Sequence, residues 1–162
     1  MDPIPMDPMA DAPEYVISYD QLVDDVCWRL LARSSFGRVV FCQDGEPGAL
    51  PVNCAVIDHT IVFRTSADAT FLELSHGSRV AFEADHTDHI AESGWSVLVR
   101  GTLHEVTDAT EVEVLAALPV HPWAPGIKDR WMRIVPDNVT GRTISRHRLV
   151  SEATRLPYMP PG

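Results

Sequence analysis

A large aromatic side chain and a hydroxyl stand side by side in the run Ser93 to Gly101, SGWSVLVRG. The indole of Trp95 offers apolar area, and the hydroxyl of Ser96 offers a hydrogen bond that would orient a flat molecule. A second run, Thr60 to Ser66, reads TIVFRTS and ends in polar groups. Both runs are rich in β-branched and aromatic residues, which favours strands. Together they predict a planar-ligand site at strand ends, with an ordinary sheet as the alternative.

The polar end of the second run has the chemistry to bind an anion. Arg64 supplies a positive charge, and Thr65 and Ser66 supply hydroxyls. A short helix is predicted to begin at Thr70, where a hydroxyl and free backbone N–H groups would add donors. The alternative for Arg64 is an ion pair with a nearby acid, Asp68 or Glu83, which would carry no function.

Two other groups of reactive side chains lack the spacing of a site. The segment DHTDH at 85–89 has metal-donor types, but no remote third ligand can be identified, so no metal site is predicted. Cys27, Cys42 and Cys54 match neither a CxxC motif nor a disulfide framework. They are predicted to be buried, reduced thiols.

Composition limits the class of protein and of partner. A chain of 162 residues with 45% hydrophobic residues fits one domain with a sizeable core. The net charge is −10, and seven acids precede the first basic residue, Arg29, so nucleic acid is a poor partner. The sequence lacks a long apolar run and a signal-peptide pattern, which predicts a cytoplasmic protein without a membrane partner.

The elements that must position these side chains are short and closely spaced. Ser18 and Gln21 form a capping box before a helical apolar pattern that continues to Ala32, and Asp108 with Glu111 opens a second helix. Proline-rich segments predict a disordered tail at 1–14 and a loose tail at 146–162, around a domain at 15–145. Strands are predicted at 38–42, 49–57, 60–65, 79–84, 94–106 and 131–135, with a partial strand at 136–144, and helices at 18–32, 70–75 and 107–118.

Short antiparallel strands with inserted helices favour a closed or half-closed barrel, because closure removes the exposed strand edges that a flat sheet would leave. The predicted fold is therefore α+β: an antiparallel split β-barrel with flanking short helices.

Five pieces of sequence carry a resemblance to a known family. They are FRT at 63–65, FEAD at 82–85, SGWSVLVRG at 93–101, PWAPG at 122–126 and RIVPDNVTGR at 133–142. As a set they resemble the pyridoxamine 5'-phosphate oxidase-related, FMN-binding split-barrel proteins, over roughly 20–144. The resemblance implies a split barrel and a homodimer with FMN at the dimer interface.

The resemblance also implies which residues bind the cofactor. A flavin needs a flat apolar wall, hydrogen bonds to its pyrimidine edge and positive charge at its phosphate. Ser96 is the best candidate for stabilising the reduced flavin, and no side chain is implied to be catalytic. The implied contacts are Pro51, Val52 and Asn53 beside the ring; Arg64, Thr65, Ser66 and Thr70 at the ring edge, ribityl chain and phosphate; Trp95 and Ser96 at the isoalloxazine; and Trp123 and Arg142 from the partner subunit.

Two departures from the family pattern shape the predicted function. Thr70 and Phe71 stand where relatives carry basic residues for the phosphate, and HRLVSE at 147–152 replaces the RLHDR-like substrate clamp, so vitamin B6 oxidation is not predicted. The resemblance implies an FMN-dependent oxidoreductase of a small molecule. The alternatives are an F420-dependent reductase of the same fold and a non-catalytic dimeric module that binds flavin or haem.

Overall fold

The structure, a computed structural model, describes residues 15–66, 70–74 and 76–148. The predicted tail at 1–14 and residues 149–162 of the predicted C-terminal tail lie outside these ranges. The described elements are β1 (Tyr15–Leu22), α1 (Asp24–Leu31), β2 (Phe36–Gln43), β3 (Glu46–Ile57), β4 (Thr60–Thr65), α2 (Thr70–Leu74), β5 (His76–Asp88), β6 (Ser93–Val106), α3 (Ala109–Ala116) and β7 (Arg130–Arg148).

The strands form one antiparallel sheet that closes on itself. Their order is β1-β7-β4-β3-β2-β5-β6, and β6 also pairs with β7, so six strands complete a ring and β1 lies outside it. The ladder between β2 and β5 is short. It extends from the pair Arg38 and Glu83 to the pair Val40 and Ala81. The prediction of an antiparallel split barrel with short flanking helices is confirmed.

The last strand, β7, is longer than predicted and pairs with three other strands. Residues 130–134 of β7 pair with β4, and residues 141–148 pair with β1 along the same edge. The opposite edge pairs with β6, with a register shift at Gly101. The sequence predicts a break at Pro136, but Pro136 lies opposite Gly101 at that shift, where an irregular ladder tolerates a residue without an N–H. The strand therefore continues through Arg148, past the predicted boundary at 145.

The predicted start of the first helix was wrong. Residues 15–22 form β1, and α1 begins after Val23, which makes no side-chain capping bond, so Ser18 and Gln21 are not a capping box. The aromatic and β-branched run YVISY at 15–19 favours a strand, and eight ladder positions on β7 outweigh the local helical signal. Acidic residues in the first turn of α1 interact favourably with the helix dipole.

The core fills the ring and continues under one helix. Large side chains from β4, β5, β6 and β7 are fully buried, and Leu31 of α1 closes the cluster from outside. A second cluster joins Leu115 of α3 to Trp131 of β7. The predicted cap of α3 is confirmed, because the Asp108 carboxylate accepts a bond from the Glu111 amide. No helix in the described ranges is long and apolar enough to span a bilayer.

The cysteines differ from the prediction at one position. Cys27 and Cys54 are buried free thiols, but Cys42 is exposed on β2. Burial raises the pKa of Cys54 to about 12 and raises the pKa of Cys27 as well. The alternation of side chains along β2 places Cys42 on the face opposite the core residue Val39.

We expect Gly101→Ala to destabilise the fold by roughly 1–3 kcal/mol. A Cβ at this position would overlap the carbonyl oxygen of Val135, so the β6–β7 ladder that closes the ring would have to move. Urea unfolding measures the loss. The matched variant Thr102→Ala changes the next residue without that overlap and is expected to cost less than about 1 kcal/mol. Equal losses in the two variants would show that the close approach is unimportant.

Alkylation of the native protein at pH 8 should label Cys42 and spare the other two cysteines. Because the raised pKa keeps the Cys54 thiol protonated, only about one molecule in ten thousand would carry its thiolate at that pH. Peptide mapping after iodoacetamide treatment reads the result, and protein unfolded in guanidinium, where all three react, is the control. Native labelling of Cys54 at the rate of Cys42 would contradict the burial.

Candidate functional site

The predicted site residues divide between two separate clefts. Seven of them line a cleft of about 510 Å³, here named the Trp123 cleft, and three line a cleft of about 270 Å³, here named the Trp95 cleft. The first set is Pro51, Val52, Asn53, Arg64, Thr65, Ser66 and Trp123. The second set is Trp95, Ser96 and Arg142. The two clefts share no lining residue among those described.

A flat aromatic wall forms one side of the Trp123 cleft. The rings of Phe36 and Trp123 stack with centroids 5.3 Å apart and planes inclined by 15°. Trp123 remains 73% exposed, so most of its surface is available to a second molecule. Pro51 and Val52 add apolar area from β3. This wall has the shape and polarity that a planar ligand requires.

Asn53 holds the loop that carries Trp123. Its side-chain oxygen accepts a hydrogen bond of 2.9 Å from the backbone N–H of Trp123. Asn53 lies directly opposite Phe36 in the β2–β3 ladder. The loop is therefore held at two neighbouring points, where Asn53 binds the Trp123 backbone and Phe36 stacks on the Trp123 ring. The structure thus gives Asn53 a positioning role within its own chain.

Arg64 brings to the cleft a positive charge that has no acidic partner among the described residues. Its guanidinium lies over the ring of Trp131, 5.6 Å from the centroid, and its Nε is buried without a hydrogen-bond partner. Of the two acids considered as partners, Glu83 pairs with Arg38 at 3.1 Å and Asp68 lies outside the described residues. Arg64 and Ser66 both line the cleft, and a guanidinium with a hydroxyl fits a phosphate, whereas Thr65 follows Arg64 on β4 and its side chain is buried on the opposite face.

The short helix α2 does not extend the anion site. Phe71 is buried and packs edge-on against Phe63, with ring centroids 5.0 Å apart. Thr70 is half-buried, and it is not among the described residues that line the Trp123 cleft. Phe71 packs in the core and also lines the cleft, so α2 contributes apolar surface there and no charge.

The predicted contacts omit six residues that line this cleft, and two of them add an aromatic ring and a positive charge. Phe36 backs Trp123, and Lys128 lines the cleft from the same loop as Trp123. The sequence does distinguish Lys128, because it is the single lysine among the thirteen lysine and arginine residues of the chain. It does not distinguish Phe36, since a phenylalanine at the start of a strand is indistinguishable from a core residue.

The Trp95 cleft contains a polar face and an arginine. Trp95 and Ser96 are consecutive on β6, so their side chains point to opposite faces. Trp95 packs against the core, whereas Ser96 is exposed beside Arg142 on β7. The sequence interpretation of an indole and a hydroxyl on one ligand face therefore needs a correction: Ser96 and Arg142 form the outward face here.

Arg142 is held by a residue that the sequence had placed in a helix. Its guanidinium donates a bond of 3.0 Å to the Tyr19 hydroxyl and lies 5.8 Å from the centre of that ring. Among the described residues no carboxylate is within ion-pair distance of Arg142. The acid that lines the same cleft, Asp85, pairs with Arg38 instead, so Arg142 has no ion-pair partner among the described residues.

The segment DHTDH lies in a hairpin rather than in a long loop. β5 runs to Asp88 and β6 begins at Ser93. The Asp88 carboxylate accepts bonds of 2.9 Å from the backbone N–H groups of Ala91 and Ile90, which lower the pKa of Asp88. Asp85 pairs with Arg38 at 3.1 Å. These acids therefore have structural partners.

The two clefts are far apart along one strand. Arg64 of the first pairs with Trp131 of β7, and Ser96 of the second pairs with Arg142 of β7. Positions 131 and 142 are eleven residues apart (142 − 131 = 11), or roughly 36 Å along an extended strand. The same small molecule would not touch both clefts of one chain without spanning that strand.

Comparisons with known proteins match most of the chain. A family model described as pyridoxamine 5'-phosphate oxidase matches residues 24–143. The uncharacterised Mycobacterium tuberculosis protein Rv0080 is 37% identical over 126 residues, 75% of this chain and 82% of that protein. A Corynebacterium glutamicum structure provisionally named pyridoxamine 5'-phosphate oxidase is 34% identical, with TM-score 0.67, over 78% of this chain and 94% of that one. An FAD-binding protein of Mycobacterium smegmatis is 30% identical, with TM-score 0.62, over 78% and 98%.

Asn53→Ala should release the Trp123 loop from β3. Loss of a hydrogen bond worth about 1 kcal/mol predicts a roughly fivefold faster hydrogen exchange at the Trp123 amide, measured by NMR. Asn138→Ala, which removes a comparable contact with Arg100 elsewhere, is the control. Unchanged exchange in Asn53→Ala would mean that this bond does not hold the loop.

Proposed function

Because the chain belongs to the pyridoxamine 5'-phosphate oxidase family, as its sequence predicts, we propose that it is a flavin-dependent oxidoreductase of a small molecule, with the flavin bound between two copies of the chain. The observation that carries the proposal is the division of the predicted contacts between two distant clefts. In a symmetric dimer the same two patches occur twice. In the proposed dimer the Trp123 cleft of one copy faces the Trp95 cleft of the other. Each pair of clefts then makes one complete site.

The Trp123 cleft has the groups that a flavin ring and its phosphate need. The Phe36–Trp123 stack and Val52 offer an apolar wall, and the unpartnered Nε of Arg64 offers a donor that the fold leaves unsatisfied. Arg142 and Ser96 of the second copy add a cation and a hydroxyl. The bound flavin supplies hydride and electron transfer, and the residues of the chain hold and orient it.

Ser96 is positioned to favour the reduced state of the ring. Its hydroxyl is exposed beside the Arg142 guanidinium, which has no acidic partner among the described residues. A donor and a positive charge at the pyrimidine edge stabilise the negative charge that develops there on reduction. The chain needs no acid–base side chain for this role.

The mononucleotide FMN is the proposed form of the cofactor. The sequence resemblance implies FMN, whereas the 30% identical Mycobacterium smegmatis relative is named as an FAD-binding protein. Both carry the same ring, ribityl chain and first phosphate, so the clefts described here fit either. Titration of the purified protein with FMN, FAD, F420 and haem in separate samples decides between them, and failure to bind any flavin would refute the proposal.

Mixing two defective variants tests whether the site is shared between copies. Arg64→Met disables the Trp123 cleft and Arg142→Met disables the Trp95 cleft, so each homodimer should bind FMN at least tenfold more weakly than the unchanged protein. After unfolding and refolding of an equal mixture, half of the dimers pair the two variants and each such dimer has one intact site. About a quarter of all sites should then bind FMN with the original affinity.

The control for this experiment is the double variant Arg64→Met/Arg142→Met mixed with unchanged protein. Its mixed dimers contain no intact site, because each site takes one cleft from each copy. If every site lay within one chain, this mixture would retain half of its sites and the first mixture would recover none. Fluorescence titration of FMN distinguishes the two patterns.

A further inference from the structure

We propose that Lys128 supplies the second positive charge of the flavin phosphate site, beside Arg64 in the Trp123 cleft. The inference rests on the proposed flavin site. It follows from where the structure places the single lysine of the chain, in a segment far along the sequence from Arg64.

Positions 70 and 71, at the start of α2, bring no charge to the cleft. Thr70 is half-buried and uncharged. Phe71 lines the cleft, but its ring packs edge-on against Phe63 and Phe41 and adds apolar surface only. A second cation in this cleft therefore comes from another segment.

The loop between α3 and β7 brings that cation to the cleft. Lys128 lines the Trp123 cleft together with Arg64 and Ser66. Its ammonium donates a bond of 3.0 Å to the carbonyl oxygen of Pro125, and a Gly126 φ of +91° forms the turn between them. An ammonium has three donors, so two remain for a ligand.

The loop is fixed before any ligand arrives. Asn53 anchors the backbone of Trp123, and the Trp123 ring stacks on Phe36. Lys128 therefore does not have to be ordered by the ligand, which reduces the entropy cost of binding.

The charge of Lys128 is also uncompensated. Within the described ranges no carboxylate is within ion-pair distance of Lys128 or Arg64. This is notable in a chain with 23 acidic and 13 basic residues. Two such cations beside the hydroxyl of Ser66 match a phosphate that carries nearly two negative charges.

Comparison of flavins with and without phosphate tests the proposal. Lys128→Gln should weaken binding of FMN about tenfold and leave riboflavin within twofold, because riboflavin has the same ring without the phosphate. Lys128→Arg should retain most of the FMN affinity. FAD in a parallel titration shows whether the loss also applies to a diphosphate. The titrations use fluorescence in buffer free of phosphate.

Arg79→Gln is the matched control, because it removes one surface charge that pairs with Asp137 outside both clefts. It should leave FMN and riboflavin affinities unchanged. An equal loss for FMN and riboflavin in Lys128→Gln, or no loss for FMN, overturns the role of Lys128 and leaves the proposed function intact. If the unchanged protein binds none of the three flavins, the proposed function itself fails, and the role of Lys128 fails with it.

The single lysine allows a second, independent measurement. Acetylation of surface amines should modify Lys128 readily in the free protein and about tenfold more slowly with saturating FMN, as measured by mass spectrometry. Saturating riboflavin should leave the rate within twofold of the free protein. Equal protection by both flavins would show that the ring merely covers the loop, and would overturn the phosphate contact.

Discussion

The β6–β7 ladder is the constraint on which the rest of the molecule depends. It closes six strands into a ring, and it extends β7 far enough to pair with β4 at one end and β1 at the other. The close approach of Gly101 to the Val135 carbonyl keeps this ladder continuous across the register shift. Because Arg64 is fixed near one end of β7 and Arg142 near the other, the length of one strand sets the distance between the two clefts.

The separation of the Trp123 and Trp95 clefts affects how tightly either one alone can bind a ligand. Neither cleft surrounds a ligand alone: Trp123 is largely exposed, and Ser96 faces outward. In the proposed dimer, ligand affinity would require both clefts, so ligand binding and dimerisation would stabilise each other. The loop that carries Trp123 would then belong to the proposed interface as well as to the proposed cofactor site.

The sequence predicted most of the fold because strand signals were local. A barrel was predicted from three local features: the strand-like runs TIVFRT and SGWSVLVRG, the Asp108 cap and the short connections. The sequence prediction was wrong at β1, where pairing with residues 141–148 overrides a helical pattern. It was also wrong at Pro136, where a register shift allows the strand to continue. For the proposed site, residue types pointed to Arg64 and Trp123, but the division into two clefts and the position of Lys128 in one of them depend on contacts between segments more than forty residues apart.

Charge distribution explains how an acidic chain can bind an anion. Arg38, Arg79, Arg130, Arg133 and Arg146 pair with carboxylates, so these arginines contribute little potential to the surface. Arg64, Arg142 and Lys128 have no such partner among the described residues, and all three line the two clefts. Asp85, which lines the Trp95 cleft, is paired with Arg38. Exposed acids more than about 8 Å from a ligand, one Debye length at physiological salt, are largely screened from it. The local charge of each cleft, and not the net charge of −10, therefore decides which ligands bind.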